Sequence, residues 1–388
     1  MPIGRNTRGW LAAAFAPGFS DRIRRELAAA AGPEVDWSSR LTATADRLHA
    51  NPRLRAGHPT GVPDLGKAFE QGGADPRVGA SLAWLDNAQH HLLSLDDPAY
   101  PCLLREIDDA PALLYVRGRL DLLQQPSLAM VGSRNPSALG AQTAEAFARA
   151  FSGVGLTVVS GLALGIDAAA HRGALEGAGS TVAVVGTGLD IVYPASNRDL
   201  AQRIAAGGTL VSEFPLGMAA RADHFPRRNR ILSGLALGCL VVEANLRSGS
   251  LITARLAVEQ GREVFAVPGS IHSPLARGCH RLIRDGAKLT ECAADVIEEL
   301  GWGRTPLPTR QPVLPDPDAS LDGDARSLIA VITHDPISAD TLCTMLGWTP
   351  QRVNATLVEL ELGGRIAPAG HGVYQRLAAP GFEFASPG

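Results

Sequence analysis

The 388-residue sequence has few of the features that identify common classes of protein. Its five cysteines are scattered without a C-x-x-C pair, so we expect neither a disulfide framework nor a metal site. No stretch approaches the roughly 20 apolar residues of a membrane-spanning helix. The short apolar run 10–15 leads straight into a charged helical pattern, unlike an export signal. We therefore expect a cytoplasmic protein that does not enter the membrane.

Lysine is almost absent, since Lys67 and Lys288 are the only two, and arginine supplies nearly all the positive charge. A formal net charge of −3 excludes a protein that coats nucleic acid by bulk charge, but it allows a local basic patch. The planar fork of arginine suits phosphate. A codon bias towards arginine, alanine and glycine explains most of the excess.

The order of apolar and helical patterns predicts a mostly α/β protein. Residues 1–85 are alanine-dense and helical, and we interpret them as a small N-terminal domain. From 86 to 300, short apolar runs alternate with helical patterns. Continuous apolar runs favour a parallel sheet covered on both faces, hence a doubly wound domain whose ligand crevice lies at the carboxyl ends of the strands. The predicted strands are 128–131, 157–160, 181–185, 209–211, 239–242 and 263–267.

A third unit follows a proline-rich segment. Residues 301–324 contain five prolines among polar residues, which predicts an extended linker. Three helical patterns and a terminal hairpin then predict a winged helix over 325–378. Val353, Leu357 and Leu360 are expected to share the buried face of its last helix.

The segment that follows the first predicted parallel strand is the most informative one. Gly132, Ser133 and Arg134 come directly after an apolar run and before a helical pattern. Backbone N–H groups, a hydroxyl and a guanidinium would converge there, which suits a phosphate. Neither G-x-G-x-x-G nor a P-loop pattern is present. The sequence therefore predicts a phosphate site of an uncommon kind.

Further turns of this type predict an extended anion-binding groove along one rim of the sheet. One begins at Gly161, and another contains Arg247, Ser248, Gly249 and Ser250. A basic run beside Phe225 could grip a nucleic-acid backbone and stack a base. Its candidate contacts are Arg227, Arg228, Asn229 and Arg230. For any single arginine of this run, an ion pair with an acidic neighbour is the common alternative.

No constellation of catalytic residues stands out, so we expect a protein that is not an enzyme and has no cofactor. The fingerprint glycines of a dinucleotide site are missing. Asp167 and His171 are four residues apart on a predicted helix, and a local hydrogen bond is their expected role. Glu213 and Glu243 end strands and could act as acids or bases, although such carboxylates more often bind an arginine or a backbone N–H.

Together, the central motifs closely resemble those of the DprA/Smf family, the DNA-processing proteins of bacterial transformation. The resemblance runs from about residue 96 to 300. Its motifs include Val131-Gly-Ser-Arg134, Ser160-Gly-Leu-Ala-Leu-Gly-Ile-Asp167, Phe225-Pro-Arg-Arg-Asn-Arg-Ile231 and Ser248-Gly-Ser-Leu-Ile-Thr-Ala254.

This resemblance implies an extended Rossmann-like domain that binds single-stranded DNA without sequence preference, forms homodimers and loads RecA onto incoming strands, which it protects. By matching position, Gly132, Ser133 and Arg134 would hold DNA phosphate. The alternative is a nucleoside-monophosphate phosphoribohydrolase on the same fold. Thr253 stands where the carboxylate of such an enzyme is required, which weighs against it. A transcription factor is a third possibility, because of the winged helix.

Overall fold

A computed structural model of the chain describes residues 5–30, 35–50, 63–302, 321–370 and 372–377. Most of the predicted linker 301–324, and the end of the predicted winged helix at 378, lie outside these ranges. Within the described parts, no helix is both long and apolar enough to cross a membrane.

The first helices build a small apolar core against one side of the sheet. Asp64 and Asp75 cap two of them by accepting hydrogen bonds from backbone N–H groups in the first turn. The Arg40 guanidinium is fully buried beside the Trp10 and Trp37 rings and pairs with Asp96 at 2.8 Å, which ties these helices to the next domain. The helices are α1 (Arg5–Phe15), α2 (Asp21–Ala30), α3 (Trp37–Ala50), α4 (Leu65–Gly73) and α5 (Pro76–Trp84).

The middle of the chain forms one sheet with nine strands among the described residues. Strands and helices alternate along the chain, as the apolar pattern predicts. The strands are β1 (His90–Ser94), β2 (Leu113–Gly118), β3 (Ser127–Val131), β4 (Thr157–Ser160), β5 (Thr181–Val184), β6 (Thr209–Ser212), β7 (Gly238–Val241), β8 (Glu263–Ala266) and β9 (Lys288–Leu289). The helices are α6 (Cys102–Arg105), α7 (Ala138–Gly153), α8 (Ile166–Ala174), α9 (Arg198–Gly207), α10 (His224–Leu235), α11 (Ser250–Glu259), α12 (Arg277–Arg284) and α13 (Ala293–Glu299).

The strand order β1-β2-β6-β5-β4-β3-β7-β8-β9 contains a switch point between β3 and β7. From β3 the chain winds through β4 and β5 to β6, and from β7 it winds the other way. In this spatial order, every pair of neighbouring strands from β6 across to β9 is parallel. At the other edge, β2 pairs antiparallel with β6, and β1 pairs antiparallel with β2. The predicted doubly wound, mostly parallel α/β fold is therefore confirmed. The two antiparallel edge strands are an addition that the sequence patterns did not predict.

The sheet is covered on both faces. On one face Ala129 and Val131 of β3 pack with Ile231 and Leu232 of α10. On the other, Leu128 and Met130 pack against α7 and α8, and the first helices and α9 cover the β2–β6 end. Such alternation along one strand is what a fully buried parallel strand requires. The middle strands β3 to β7 are fully buried, so a ligand can reach them only through the loops at their ends.

The last described unit is a winged helix, as predicted. Val353, Leu357 and Leu360 are buried in its core, on one face of the last helix. Pro350 occupies the first turn of that helix, where its missing N–H costs nothing. A short strand before the second helix, which the sequence pattern did not show, completes the sheet. The elements are α14 (Gly323–Val331), β10 (Ile337–Ser338), α15 (Ala339–Leu346), α16 (Pro350–Leu362), β11 (Ile366–Gly370) and β12 (Val373–Arg376).

Candidate functional site

The loops that follow the parallel strands meet at one edge of the sheet, which we call the carboxyl edge. Because β3 to β7 are parallel, the turns after β3, β4, β5 and β7 open on the same side. The chain reverses its winding between β3 and β7, and in open α/β sheets ligands bind at such a point. The residues predicted from the sequence lie in these turns or in α10.

Arg134 lies on the carboxyl edge and is exposed. Its guanidinium carbon is 5.4 Å from the centroid of the Phe225 ring, a cation–π distance. Ser133 is buried, and its hydroxyl accepts a hydrogen bond from the Asn135 N–H at 3.1 Å. At Gly132 a Cβ would come within 2.6 Å of Ile166, so the turn needs glycine for close packing with α8.

A second aromatic ring extends this site. Tyr193 is 49% exposed, and its ring centroid is 5.7 Å from that of Phe225. Arg134 and Tyr193 thus both neighbour Phe225, and we call these three residues the aromatic row. Phe225 was predicted from the sequence, but Tyr193 was not, since 32 positions separate the two rings in the chain. The Tyr-Pro dipeptide after β5 was the available signal.

The turn after β4 is held by side chains of its own helix α8. One Asp167 carboxylate oxygen accepts hydrogen bonds from the N–H groups of Gly161 (3.1 Å) and Ala163 (3.3 Å). His171 accepts one from the Leu162 N–H at 3.2 Å. The expected local role of Asp167 and His171 is therefore what the structure shows. The N–H groups of Gly161, Leu162 and Ala163 are therefore already hydrogen-bonded within the protein.

The His171 imidazole is held in one tautomer. Since its Nε2 accepts a hydrogen bond from Leu162, its Nδ1 donates to the Thr181 hydroxyl, which in turn donates to the Val158 carbonyl. Burial, with Arg228 and Arg172 nearby, lowers the pKa of His171 to about 3. This histidine is thus neutral and structural at neutral pH.

Arg228 lies beneath the turn rather than on its surface. Its side chain is buried next to Gly161 and Asp167, with the residue as a whole 4% exposed. Among the residues that the structure describes, its Nε and Nη1 have no hydrogen-bond partner. Burial lowers the pKa of Arg228 to about 10 despite the attraction of Asp167. The prediction that Arg228 lines a groove is corrected to a buried cation under the edge, because α10 directs it inward.

The side chains of Arg227 and Arg230 point away from α10 in a different direction from Arg228, and both form ion pairs. Both contact the buried Glu213, at 3.1 Å and 2.5 Å. Arg227 also pairs with Asp21 of α2 at 3.0 Å, and Arg230 with Asp109 at 3.2 Å. The four predicted basic contacts therefore do not form one track. Arg230 is 5% exposed, and Asn229 is partly buried on the same helix.

The turn after β7 lies next to the start of α7. The Glu243 carboxylate accepts hydrogen bonds from the Ser137 N–H (2.9 Å) and hydroxyl (2.6 Å), so it occupies the anion position at this helix N-terminus. Burial raises the pKa of Glu243, and the bonds from Ser137 oppose this rise. The Ser137 N–H is therefore not available to a phosphate, whereas the phosphate site at Gly132, Ser133 and Arg134 stays a prediction.

The remaining predicted residues follow Glu243 on the same turn. Ser248 and Ser250 share a hydrogen bond between their hydroxyls at 2.6 Å, and Ser250 is buried where α11 begins. Arg247 and Gly249 are exposed. Among the residues that the structure describes, none forms an ion pair with Arg247. Arg134 and Arg247 are thus the two exposed predicted arginines without a carboxylate partner in those ranges.

Thr253, the position that a phosphoribohydrolase would need as a carboxylate, is buried inside α11. In the ranges covered by the structure, no group of three or more histidine, cysteine, aspartate or glutamate side chains could hold a metal ion. The chemistry that the carboxyl edge offers is therefore charge, aromatic stacking and hydroxyl hydrogen bonding.

Comparison with known proteins identifies a family for both folded units that follow the first helices. A model of DNA recombination-mediator protein A matches residues 91–301, and one of the DprA winged helix domain matches residues 312–372. Protein Smf of Escherichia coli (strain K12) is 42% identical over 312 residues, spanning 77% of this chain and 81% of the relative. DNA processing protein DprA of Streptococcus pneumoniae is 50% identical over 206 residues, spanning 53% and 73%.

Solved structures of DprA proteins also resemble this chain. The X-ray structure of the Streptococcus pneumoniae DprA protein aligns with a TM-score of 0.61 and 38% identity, covering 77% of this chain and 99% of that one. DNA processing protein A from Helicobacter pylori, whose structure addresses its single-stranded DNA binding mode, aligns with a TM-score of 0.50 and 29% identity over 55% and 95%. Since a family model covers residues 91–301, more than half of the sequence, the chain belongs to the DNA recombination-mediator protein A family of DprA and Smf proteins.

Proposed function

We propose that this protein binds single-stranded DNA along the carboxyl edge, without sequence preference. The observation that carries the proposal is the row of Arg134, Phe225 and Tyr193, in which an exposed cation lies over an aromatic ring. Bases stack on aromatic side chains whatever their identity, and cations beside them meet the backbone phosphates. The bases of a duplex are already stacked on one another, so a single strand fits this site better.

The binding mode of the Helicobacter pylori relative supports the proposal, because that protein binds single-stranded DNA and shares this fold. In our proposal the bound DNA passes the turn after β3 and crosses the turn after β4 before it reaches the turn after β7. Its contacts are Gly132, Ser133, Arg134, Gly161, Arg247, Ser248, Gly249 and Ser250. Arg228 would add positive potential from beneath. Arg227 and Arg230 would hold α10 in place through Glu213 rather than contact DNA.

Membership of the DprA and Smf family supports the wider role that the sequence implies. We propose that the protein acts in the cytoplasm as a homodimer, protects incoming single strands and loads RecA onto them during natural transformation. A binder of this kind needs no catalytic group. Slower digestion of oligo(dT) by a nuclease, and faster RecA assembly on the strand, are the expected results with protein present.

Fluorescence anisotropy of labelled oligo(dT) and of a duplex of equal length tests the binding step. We expect the single strand to bind more tightly, with an affinity that falls steeply as salt is added. Arg134→Ala should weaken binding to all sequences about equally, by about 1–3 kcal/mol. Arg203→Ala is the control, because Arg203 is an exposed arginine of α9 that is not among the predicted DNA contacts, and it should bind as the wild type does.

An unchanged affinity in Arg134→Ala would remove Arg134 from the site, and equal affinity for single strand and duplex would contradict the proposal as a whole. Release of ribose 5-phosphate from AMP would instead favour the phosphoribohydrolase. We expect none, since Thr253 cannot act as the required carboxylate and is buried.

A further inference from the structure

A cavity of about 300 Å³ lies between α9 and the β2–β6 end of the sheet. Leu189, Val192 and Leu210 form its apolar part, and Arg117, Arg198 and Gln202 add polar groups. None of these residues is among the predicted DNA contacts. The volume is at the lower end of the range for sites that bind one small molecule.

The cavity carries unbalanced positive charge. Neither Arg117 nor Arg198 forms an ion pair or a side-chain hydrogen bond with any residue in the described ranges. Asp190 also lines the cavity, and both of its carboxylate oxygens accept from the Gly217 N–H, at 3.0 Å and 2.9 Å. Two guanidinium groups beside an apolar wall suit a ligand with an anionic part and a flat apolar part.

The wall of the cavity is joined through the backbone to the residues at the carboxyl edge. Val192 on its wall is followed directly by Tyr193, the exposed ring that neighbours Phe225. Arg198 follows Asn197, whose side-chain amide donates to the carbonyls of Leu162 (2.9 Å) and Ala163 (3.2 Å) in the turn after β4. Two points of chain contact, Val192–Tyr193 and Asn197–Arg198, thus connect the cavity to the carboxyl edge.

We propose that the cavity is a second DNA subsite, which takes one nucleotide of the bound strand beyond Tyr193. Its base lies against Leu189, Val192 and Leu210, and Arg117 and Arg198 meet the charge of the adjacent phosphates. This inference rests on the proposed function, because the same strand must occupy the carboxyl edge. The second subsite extends the path of the bound DNA from the α10 side of the sheet to the α9 side.

The test compares oligo(dT) of about 5 nucleotides, near the lower end of single-strand site sizes, with oligo(dT) of about 20 nucleotides, which is longer than one such site. In the double variant Arg117→Ala/Arg198→Ala, we expect the longer strand to bind about tenfold more weakly, with a salt-dependence slope smaller by about 1.4, the value for two lost phosphate contacts. The shorter strand, seated at Arg134 and Phe225, should keep its affinity within about twofold.

Two further variants separate charge from cavity volume. Gln202→Trp fills the cavity without removing a charge, and it should weaken only the longer strand. Arg203→Ala removes a charge from the same helix outside the cavity and should leave both affinities unchanged. Thermal unfolding of each variant shows whether it is folded.

The outcomes distinguish this inference from the proposed function. If the wild type binds neither strand, the proposed function fails. If the wild type binds both oligonucleotides and the double variant binds the longer one with unchanged affinity, only the second subsite is refuted. Binding of dTMP to the wild type that the double variant abolishes, with no change for either strand, would assign the cavity to a free nucleotide and overturn the proposal.

Discussion

Arg228 lies directly beneath Gly161, and its guanidinium takes the space that a side chain at position 161 would need. A Cβ built on Gly161 would be 1.6 Å from Nη1 of Arg228. The guanidinium is fully enclosed, so it has little room to move. Gly161→Ala should therefore lower the free energy of unfolding by about 1–3 kcal/mol, the usual cost of overpacking. Urea denaturation measures this change.

Gly153 provides a matched control for that substitution. It ends α7, and a Cβ there would meet no atom of the described residues within 4 Å. Gly153→Ala should leave stability unchanged or raise it slightly, because alanine restricts the unfolded chain more than glycine does. Equal stability of the two variants would show that Arg228 moves aside easily, contrary to the packing described.

Arg230 should matter for folding rather than for DNA contact. It is buried with Glu213 at 2.5 Å, and removing one partner of a buried pair leaves the other charge uncompensated. We expect Arg230→Ala to lower the free energy of unfolding by about 3 kcal/mol. Arg227→Ala removes a half-exposed partner of the same carboxylate and should cost about 1 kcal/mol or less.

The double variant Arg230→Met/Glu213→Leu separates these roles. Apolar residues of similar size can replace a buried ion pair without loss of stability, so this variant should fold more stably than Arg230→Ala. If it then binds oligo(dT) as the wild type does, Arg230 acts only through folding. A loss of binding in this stably folded variant would instead restore Arg230 as a contact.

The sequence predicted the sheet well because its parallel strands are continuous apolar runs with helices between them. The predicted strand 128–131 coincides with β3 but for its first residue, and the turn residues after it lie on the expected edge. The edge strands β1 and β2 escaped prediction. They are antiparallel and lack the crossover helices on which the alternating pattern depends.

The site was predicted less well than the fold, because spacing does not show which way a helical side chain points. Arg227, Arg228 and Arg230 are close in sequence, yet α10 directs them to an ion pair, to the underside of Gly161 and to a buried carboxylate. Their partners Glu213 and Asp167 belong to other elements. No local pattern could have shown those long-range contacts.

The buried His171 should make folding depend on pH. Its pKa is about 3 in the folded protein and about 6.5 when unfolded, so below 6.5 only the unfolded chain takes up the proton. The stability that neutral His171 provides is therefore complete above pH 6.5 and is lost as the pH falls towards 3. The expected slope approaches about 1.4 kcal/mol per pH unit below the unfolded pKa.

The difference between the wild type and His171→Gln isolates this effect. Glutamine does not titrate, so the gap in free energy of unfolding between the two proteins should shrink from pH 7 to pH 5. Burial raises the pKa of Asp167, and because Asp167 is present in both proteins, the difference between them removes most of its contribution. A gap that stays constant over this range would show that His171 is protonated in the folded protein.

Arg352 on α16 should contribute little to duplex DNA binding. It is the one basic residue of that helix, and its guanidinium binds both carboxylate oxygens of Asp324, at 2.9 Å and 2.6 Å, and lies 4.2 Å from the centroid of the Trp348 ring. The exposed positions beyond it include Val358, Glu359 and Leu362. A helix that reads duplex DNA needs cations free to meet phosphates, and Arg352 is already paired.

In the full-length protein, we therefore expect Arg352→Ala to bind a duplex within about twofold of the wild type. Asp324→Asn frees the guanidinium without removing it, so duplex affinity should rise and its dependence on salt should steepen. Anisotropy with labelled duplex measures both variants. A large loss in Arg352→Ala would mean that Arg352 leaves Asp324 for DNA, and the winged helix would then be a duplex reader.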